Sequence, residues 1–242
     1  MPDPYILLWL EAPLQSWGHD SRFGRRDSLD FPTKSGVLGL VCCARGAGDE
    51  QREWLEAWSS LDMQVVAYVP TNRHGQPLPR LPLMRDFHMV GSGYDDRDPW
   101  HTLHIPKKSD GGKAVGGGSK MTYRYYLQDM AYAVALQTPA VCVDEVVHAL
   151  RSPVWDLYLG RKNCVPSEFI YQGQFVSSVQ AFEQAQQLAE IKQRVPVLRI
   201  LQGEHEGEVL TLNDVPVQFG TRKLYRDRQV TVQPVMPRES PG

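Results

Sequence analysis

The chain has 242 residues, with 26 Lys and Arg against 28 Asp and Glu, a net charge of −2, and 42% hydrophobic residues. That composition excludes a disordered chain, and so small a net charge excludes a protein that coats nucleic acid through bulk positive charge. The apolar runs are short, Tyr5 to Leu10 stopping at Glu11, which excludes a membrane-spanning helix or a secretory signal and predicts a soluble, cytoplasmic protein with no membrane partner.

Tyr5–Leu10 reads as a buried first strand. A polar connection follows, Gln15–Lys34, carrying Arg22, Arg25, Arg26 and Lys34. Ser35 is the expected N-cap of a helix over 36–44, with Gly46 and Gly48 as stop signals. Gly36 and Gly39 inside that helix weaken it by about 1 kcal/mol each relative to Ala, so they mark a close approach of a strand or a ligand. A second helix is expected over 50–61, its Trp54, Leu55, Trp58 and Leu61 forming a core face. Met63–Val69 alternates as a strand.

The stretch 71–120 differs in character. It holds Pro77, Pro79, Pro82, Pro99 and Pro106, four histidines, and the glycine-rich run 111–118. A structureless loop of that length is improbable in a compact domain, so it reads as an inserted hairpin or arm with a mobile tip. Strands are expected at 122–127 and 131–136, a helix at 143–150, and a strand at 154–159. Strand, helix, strand, strand, helix, strand is the order of a ferredoxin-like (RRM-type) unit in the α+β class. Residues 1–176 would form that unit, with the arm inserted at about 71–120. Residues 177–235 would add a smaller C-terminal part: a helix over 179–194 and short strands near 197–201, 208–212, 215–219 and 229–233. A flexible tail, 236–242, would close the chain.

Two motifs carry chemistry. Phe31-Pro-Thr-Lys-Ser-Gly-Val-Leu-Gly-Leu40 puts Thr33, Lys34, Ser35 and Gly36 at a loop-to-helix junction, where unpaired amides and the helix dipole favour an anion. It is not a Walker A loop, and a capped helix with an incidental lysine accounts for it equally well. Leu159-Gly-Arg-Lys-Asn-Cys-Val-Pro-Ser167 is a second basic turn, in which Arg161 and Lys162 suit a phosphate or a base. A solvated basic turn accounts for it when taken alone. No C-x-x-C and no metal-ligand spacing occurs, so the four cysteines read as small buried hydrophobes, and neither a metal nor a cofactor is called for.

Taken in order, Tyr5–Leu10 with Ala12-Pro-Leu-Gln-Ser-Trp-Gly18, the 31–40 motif, Arg124-Tyr-Tyr-Leu-Gln-Asp129 and the 159–167 motif resemble the CasD ("Cas Five") family of CRISPR-associated proteins. The likeness is greatest to its type I-E branch, and it weakens after Ser167. The resemblance implies a modified RRM-type fold with a protruding thumb, here the arm. It also implies a non-catalytic role: holding the 5′ handle of the CRISPR RNA (crRNA) and capping the backbone filament of a Cascade complex. The partners would be the backbone subunits, the large subunit and, through the assembly, target DNA. On this reading Lys34, Ser35 and Gly36, with Thr33 beside them, receive handle phosphates, and Gly160, Arg161 and Lys162 meet a second stretch of backbone. Trp17, Tyr125 and Tyr126 are stacking candidates, since single-stranded RNA is held by aromatic faces. Adjacent strand residues face opposite ways, so at least one of the two tyrosines belongs to the core. Arg124 lies in the third matching motif, Arg25 and Arg26 are further candidates for RNA contact, and Lys107 and Lys108, with Lys113 and Lys120, make the second half of the arm basic.

A related type I-C branch is a metal-independent endoribonuclease using a tyrosine, a lysine and a histidine, and Tyr94, His101, His104, Lys107 and Lys108 supply those residue types here. They lie on the arm, a poor platform for preorganised catalysis. Asp95, Asp96 and Asp98 beside the two histidines match no recognised metal spacing. A generic RRM would carry an aromatic RNP1 pattern, which is absent.

Overall fold

In the computed structural model of the chain, residues 2–19, 21, 24–90, 97, 108–112 and 120–235 are described. The elements in chain order are β1 (Tyr5–Glu11), β2 (Leu14–Gln15), β3 (Arg25–Arg26), α1 (Lys34–Ala44), α2 (Arg52–Glu56), β4 (Met63–Pro70), β5 (Met84–Val90), β6 (Lys120–Gln128), β7 (Ala131–Gln137), α3 (Val143–Arg151), β8 (Tyr171–Phe175), α4 (Ser178–Ile191), β9 (Arg194–Gln202), β10 (Glu208–Gln218) and β11 (Leu224–Pro234). The architecture is mixed α and β, with antiparallel pairing dominant.

β1 shows why the layers form. Ile6 through Leu10 are all fully buried, and a strand that is apolar on both sides needs cover on both. Ile6, Leu8 and Leu10 pack into a large core with Val37, Leu38 and Val41 of α1 and Val146 and Leu150 of α3. Leu7 and Trp9 face the other way, into a smaller core beneath α4. There Ala181, Ala185 and Ala189, four residues apart on one helix face, meet Ala131, Ala133 and Ala135 of β7. Alanine on alanine lets the helix lie close to the sheet.

Seven strands form one sheet in the order β10-β11-β9-β4-β7-β1-β8, with every neighbouring pair antiparallel. Within it, β1-α1-β4 and β7-α3-β8 are two crossovers whose four strands lie in the order β4-β7-β1-β8. A smaller sheet is centred on β6, which pairs with β2, β3 and β5. β5 and β6 pair antiparallel at the base of the expected arm, a stem with Phe87 opposite Tyr123. The expected arm tip and tail lie outside the described residues, apart from Arg97 and the short turn at 108–112. Among the described residues no helix is long and apolar enough to cross a membrane.

Four sequence expectations are corrected. The strand expected at 154–159 does not form: Val154 N–H donates to Ala44 O at 2.8 Å and Leu159 N–H to Cys164 O at 2.8 Å. The place beside β1 is taken instead by β8. The helix expected over 50–61 is confined to 52–56; beyond it the Trp58, Ser59 and Leu61 N–H groups donate to the carbonyls three residues back, in tight turns. The N-cap of α1 is Thr33, not Ser35, its Oγ1 accepting from Gly36 N–H at 3.1 Å. Finally, the C-terminal strands are longer than expected and continuous with the main sheet, β9 pairing directly with β4. Residues 208–218 form one strand rather than two, with a register shift between Asn213 and Val215.

Candidate nucleic-acid interface

That shift gives Asp214 its role, since a bulge re-aims the side chain it carries. Asp214 turns inward and accepts from Lys34 N–H at 2.7 Å. Arg228 holds both oxygens of the same carboxylate, Nε at 2.7 Å and Nη2 at 2.9 Å. A carboxylate therefore already sits where the dipole and free amides of α1 would draw an anion. Lys34 runs inward as well. It is fully buried, and its Nζ donates to Leu61 O at 2.6 Å and Ser59 O at 3.2 Å. Burial first, then the nearby Arg228 charge, pushes its pKa down to about 8, while Asp214 and Asp62 oppose the fall. The expected phosphate-binding lysine thus points into the protein, its ammonium held by two backbone carbonyls.

The second motif forms a tight turn against the strand-to-loop exit of β1. Gly160 has φ +98°, and a Cβ there would stand 1.7 Å from Ser16 O, so only glycine fits. Arg161 then reaches across to the arm stem. Its Nη2 donates to Arg26 O at 2.8 Å and its Nη1 to Tyr125 O at 3.3 Å. The guanidinium lies 4.7 Å from the Tyr126 ring centre. Planar, with a fork of donors, it ties β3 and β6 to the 159–164 turn. Lys162, next in sequence, is exposed.

These turns meet at one cleft of about 590 Å³, a size typical of ligand sites. Trp17, Thr33, Ser35, Gly36, Gly160, Arg161 and Lys162 all line it, although the two motifs lie far apart in the chain. Lys34, Arg25, Arg26, Lys108, Arg124 and Tyr125 do not line it. Arg25, Arg26, Arg124 and Tyr125 instead gather on the arm stem, where β3 runs beside β6. Arg25 lies 4.9 Å from the Tyr125 ring centre and pairs with Asp27 at 2.8 Å. Lys108 is exposed in the turn at 108–112. Lys107, Lys113, Tyr94, His101 and His104 lie outside the described residues.

Two stacking candidates are corrected by burial. Trp17 and Tyr126 are each 1% exposed, and a Cβ on Gly36 would come 2.9 Å from the Trp17 ring, which closes that face. Tyr125 is half-buried under Arg25. Several cleft residues carry no signal in the motifs: Trp155, Tyr158, Phe219, Lys223 and Tyr225. Trp155 falls in the expected strand that does not form, and the last three lie at the turn between β10 and β11. The only sequence signal for them is the Phe-Gly-Thr-Arg-Lys composition of residues 219–223, and it names no neighbour.

The family described as "CRISPR-associated protein (Cas_Cas5)" matches residues 5–231. The chain belongs to this family. One relative is the "CRISPR system Cascade subunit CasD" of Escherichia coli (strain K12), 28% identical over 172 residues, covering 70% of each chain. Among solved structures, a chain of a "CRISPR RNA-guided surveillance complex" matches with a TM-score of 0.68 at 29% identity, covering 95% of this chain and 89% of that one. A second, titled "Crystal structure of Cas protein", matches with a TM-score of 0.55 at 24% identity over 96% and 94% of the two chains, a likeness of fold. The family match and both structural matches extend well past Ser167, where the sequence resemblance weakens, so the β9–β11 segment belongs to the shared architecture.

Proposed function

We propose that this chain is a non-catalytic RNA-binding subunit of a Cascade-type CRISPR surveillance complex, and that its cleft holds the 5′ handle of the crRNA. The observation that carries this reading is the convergence of the 33–36 junction and the 160–162 turn on one concave site, beside an arm stem bearing Arg25, Arg26 and Arg124. The names of the relatives support the same assembly. Lys162 and the hydroxyls of Thr33 and Ser35 would meet backbone phosphates, while Lys34 acts from inside by holding the junction's shape. The strand order β4-β7-β1-β8 with its two crossovers supports a ferredoxin-like (RRM-type) core within residues 1–176. The arm is its thumb, and residues 177–235 are an extension of its sheet. In the cytoplasm such a subunit would cap the backbone filament, contact the large subunit, and reach target DNA only through the assembly.

The test is incubation of the purified chain with labelled CRISPR repeat RNA in EDTA, followed by filter retention and a denaturing gel. Retained, intact RNA, with affinity falling as salt rises, supports the reading. A discrete cut in EDTA overturns it in favour of a metal-independent endoribonuclease, and Tyr94, His101 and His104 become the first residues to substitute. RNA neither retained nor cut removes RNA binding by this chain altogether.

A further inference from the structure

The cleft has a wall for which neither motif accounts. Trp155 and Tyr158 come from the irregular segment after α3, and Phe219 and Tyr225 from the ends of the C-terminal hairpin. They share the cleft with a helix and following turn that present Gly36, Gly39, Ala47 and Gly48 to it. A Cβ on Gly39 would stand 4.0 Å from Phe219 Cζ, and one on Gly48 3.8 Å from Trp155 Cη2. Those are ordinary van der Waals distances, so the glycines leave open a slot that larger residues would fill.

The wall is anchored. Val154 N–H donates to Ala44 O at 2.8 Å, and Phe219 N–H to Glu50 O at 3.0 Å. Rings held on a fixed backbone lose little entropy on binding. Yet Trp155 remains 49% exposed, a large indole lining a concave site. Lys162 and Lys223, which line the same cleft, are exposed and make no ion pair among the described residues. Among the described residues, Asp49 is the one acid lining the cleft. An exposed aromatic ring sharing one cleft with unpaired cations is suited to a planar base and its phosphates, whereas an apolar peptide would gain nothing from the lysines.

We propose that Trp155, with Tyr158 and Tyr225, forms a stacking subsite for one unstacked nucleobase, while Lys162 and Lys223 take the adjoining phosphates. This rests on the RNA-binding reading above and deepens it. It gives the β10–β11 hairpin a direct part in holding RNA, where the sequence left that segment without a function. Because stacking reads the π face, the subsite accepts any base and rejects paired ones.

The test uses the full chain with handle-containing RNAs that each carry one abasic nucleotide, against wild type, Trp155→Ala and Trp155→Phe, with thermal melts of each variant. One abasic position is expected to weaken wild-type binding by roughly fivefold to a hundredfold, the range that stacking supplies. Trp155→Ala should lose affinity to the same degree for intact RNA and lose nothing more at that position. Trp155→Phe, which keeps an aromatic face, should retain most of the affinity. Wild-type binding without such coupling, or Trp155→Ala binding like wild type, overturns the subsite and leaves the RNA reading standing. No RNA retained by wild type overturns both.

Discussion

The two ends of helix α1 border the same cleft and treat charge in opposite ways. At the N-terminal end Lys34, Asp214 and Arg228 are buried and mutually engaged, and Thr33 Oγ1 takes the Gly36 amide. Past its C-terminal end, beside Gly48, Trp155 is half exposed, and around the cleft Lys162 and Lys223 have no ion-pair partner among the described residues. The sealed end contains the residue types that sequence motifs for phosphate binding single out. The open end contains those still able to bind something. Chemical type alone therefore does not identify a ligand-binding residue here; a charge already surrounded by internal partners is structural.

The largest expected effect is at the sealed end. Asp214→Ala strands the buried Arg228 guanidinium and uncovers the amide of Lys34, a loss of about 3–5 kcal/mol for a broken buried pair. Urea unfolding measures it, and a change below about 1 kcal/mol would mean that the pair is not what closes this end.

Next comes the pH dependence of Lys34. Its folded pKa lies near 8, below its ordinary value of 10.5, so between those values the unfolded chain binds the extra proton. Stability should rise as pH rises through that window, and below pH 8 the full penalty is present. The Lys34 contribution is on the order of 2–3 kcal/mol. It is read as the gain from pH 7.5 to pH 10 in wild type that Lys34→Met lacks. Equal gains in both proteins would show that the ammonium is not desolvated.

Arg161 lies between the two ends in character. Arg161→Ala removes two hydrogen bonds to carbonyls and a cation–ring interaction, at about 1–3 kcal/mol. Hydrogen exchange should quicken first around residues 25–26 and 123–126, where β3 meets β6. Uniform loss of protection across the whole main sheet would contradict that local role.

The smallest effect on stability, within about 0.5 kcal/mol, is expected for Lys162→Ala with Lys223→Ala. The same pair should flatten the salt dependence of RNA binding by about 0.7 in log–log slope for each phosphate no longer neutralised. Lys34→Met, compared at equal folded fraction, should leave that slope unchanged. The opposite result would reverse the assignment of the two ends.

Much of this is legible in the sequence. The doubly apolar β1, the helix at α1, the strands at 63–70 and 131–137, the arm between β4 and β7 and the two basic turns follow from local pattern, because period, capping and glycine placement are local physics. The fourth strand beside β1 is not legible, since 154–159 and 171–175 both present short runs suited to pairing, and only packing assigns the edge. The alternation of Val154–Leu159 is outweighed by hydrogen bonds to Ala44 and Cys164. The candidate site is half legible. The motifs that meet at the cleft stand out, but nothing local shows that Trp17, Lys34 and Tyr126 are buried, or that Trp155, Phe219 and Tyr225 build a common wall.

By itself the sequence determined β1, α1, β4, β7 and α3 of the central layers, and which family the chain resembles. The tertiary structure alone decided which cations remain free. Burial depends on residues distant in the chain: a bulge aims Asp214 at the amide of Lys34, and the carbonyls of Ser59 and Leu61 draw its ammonium inward. Lys162 and Lys223 meet no such partner among the described residues, and for that reason their charge stays at the surface of the cleft.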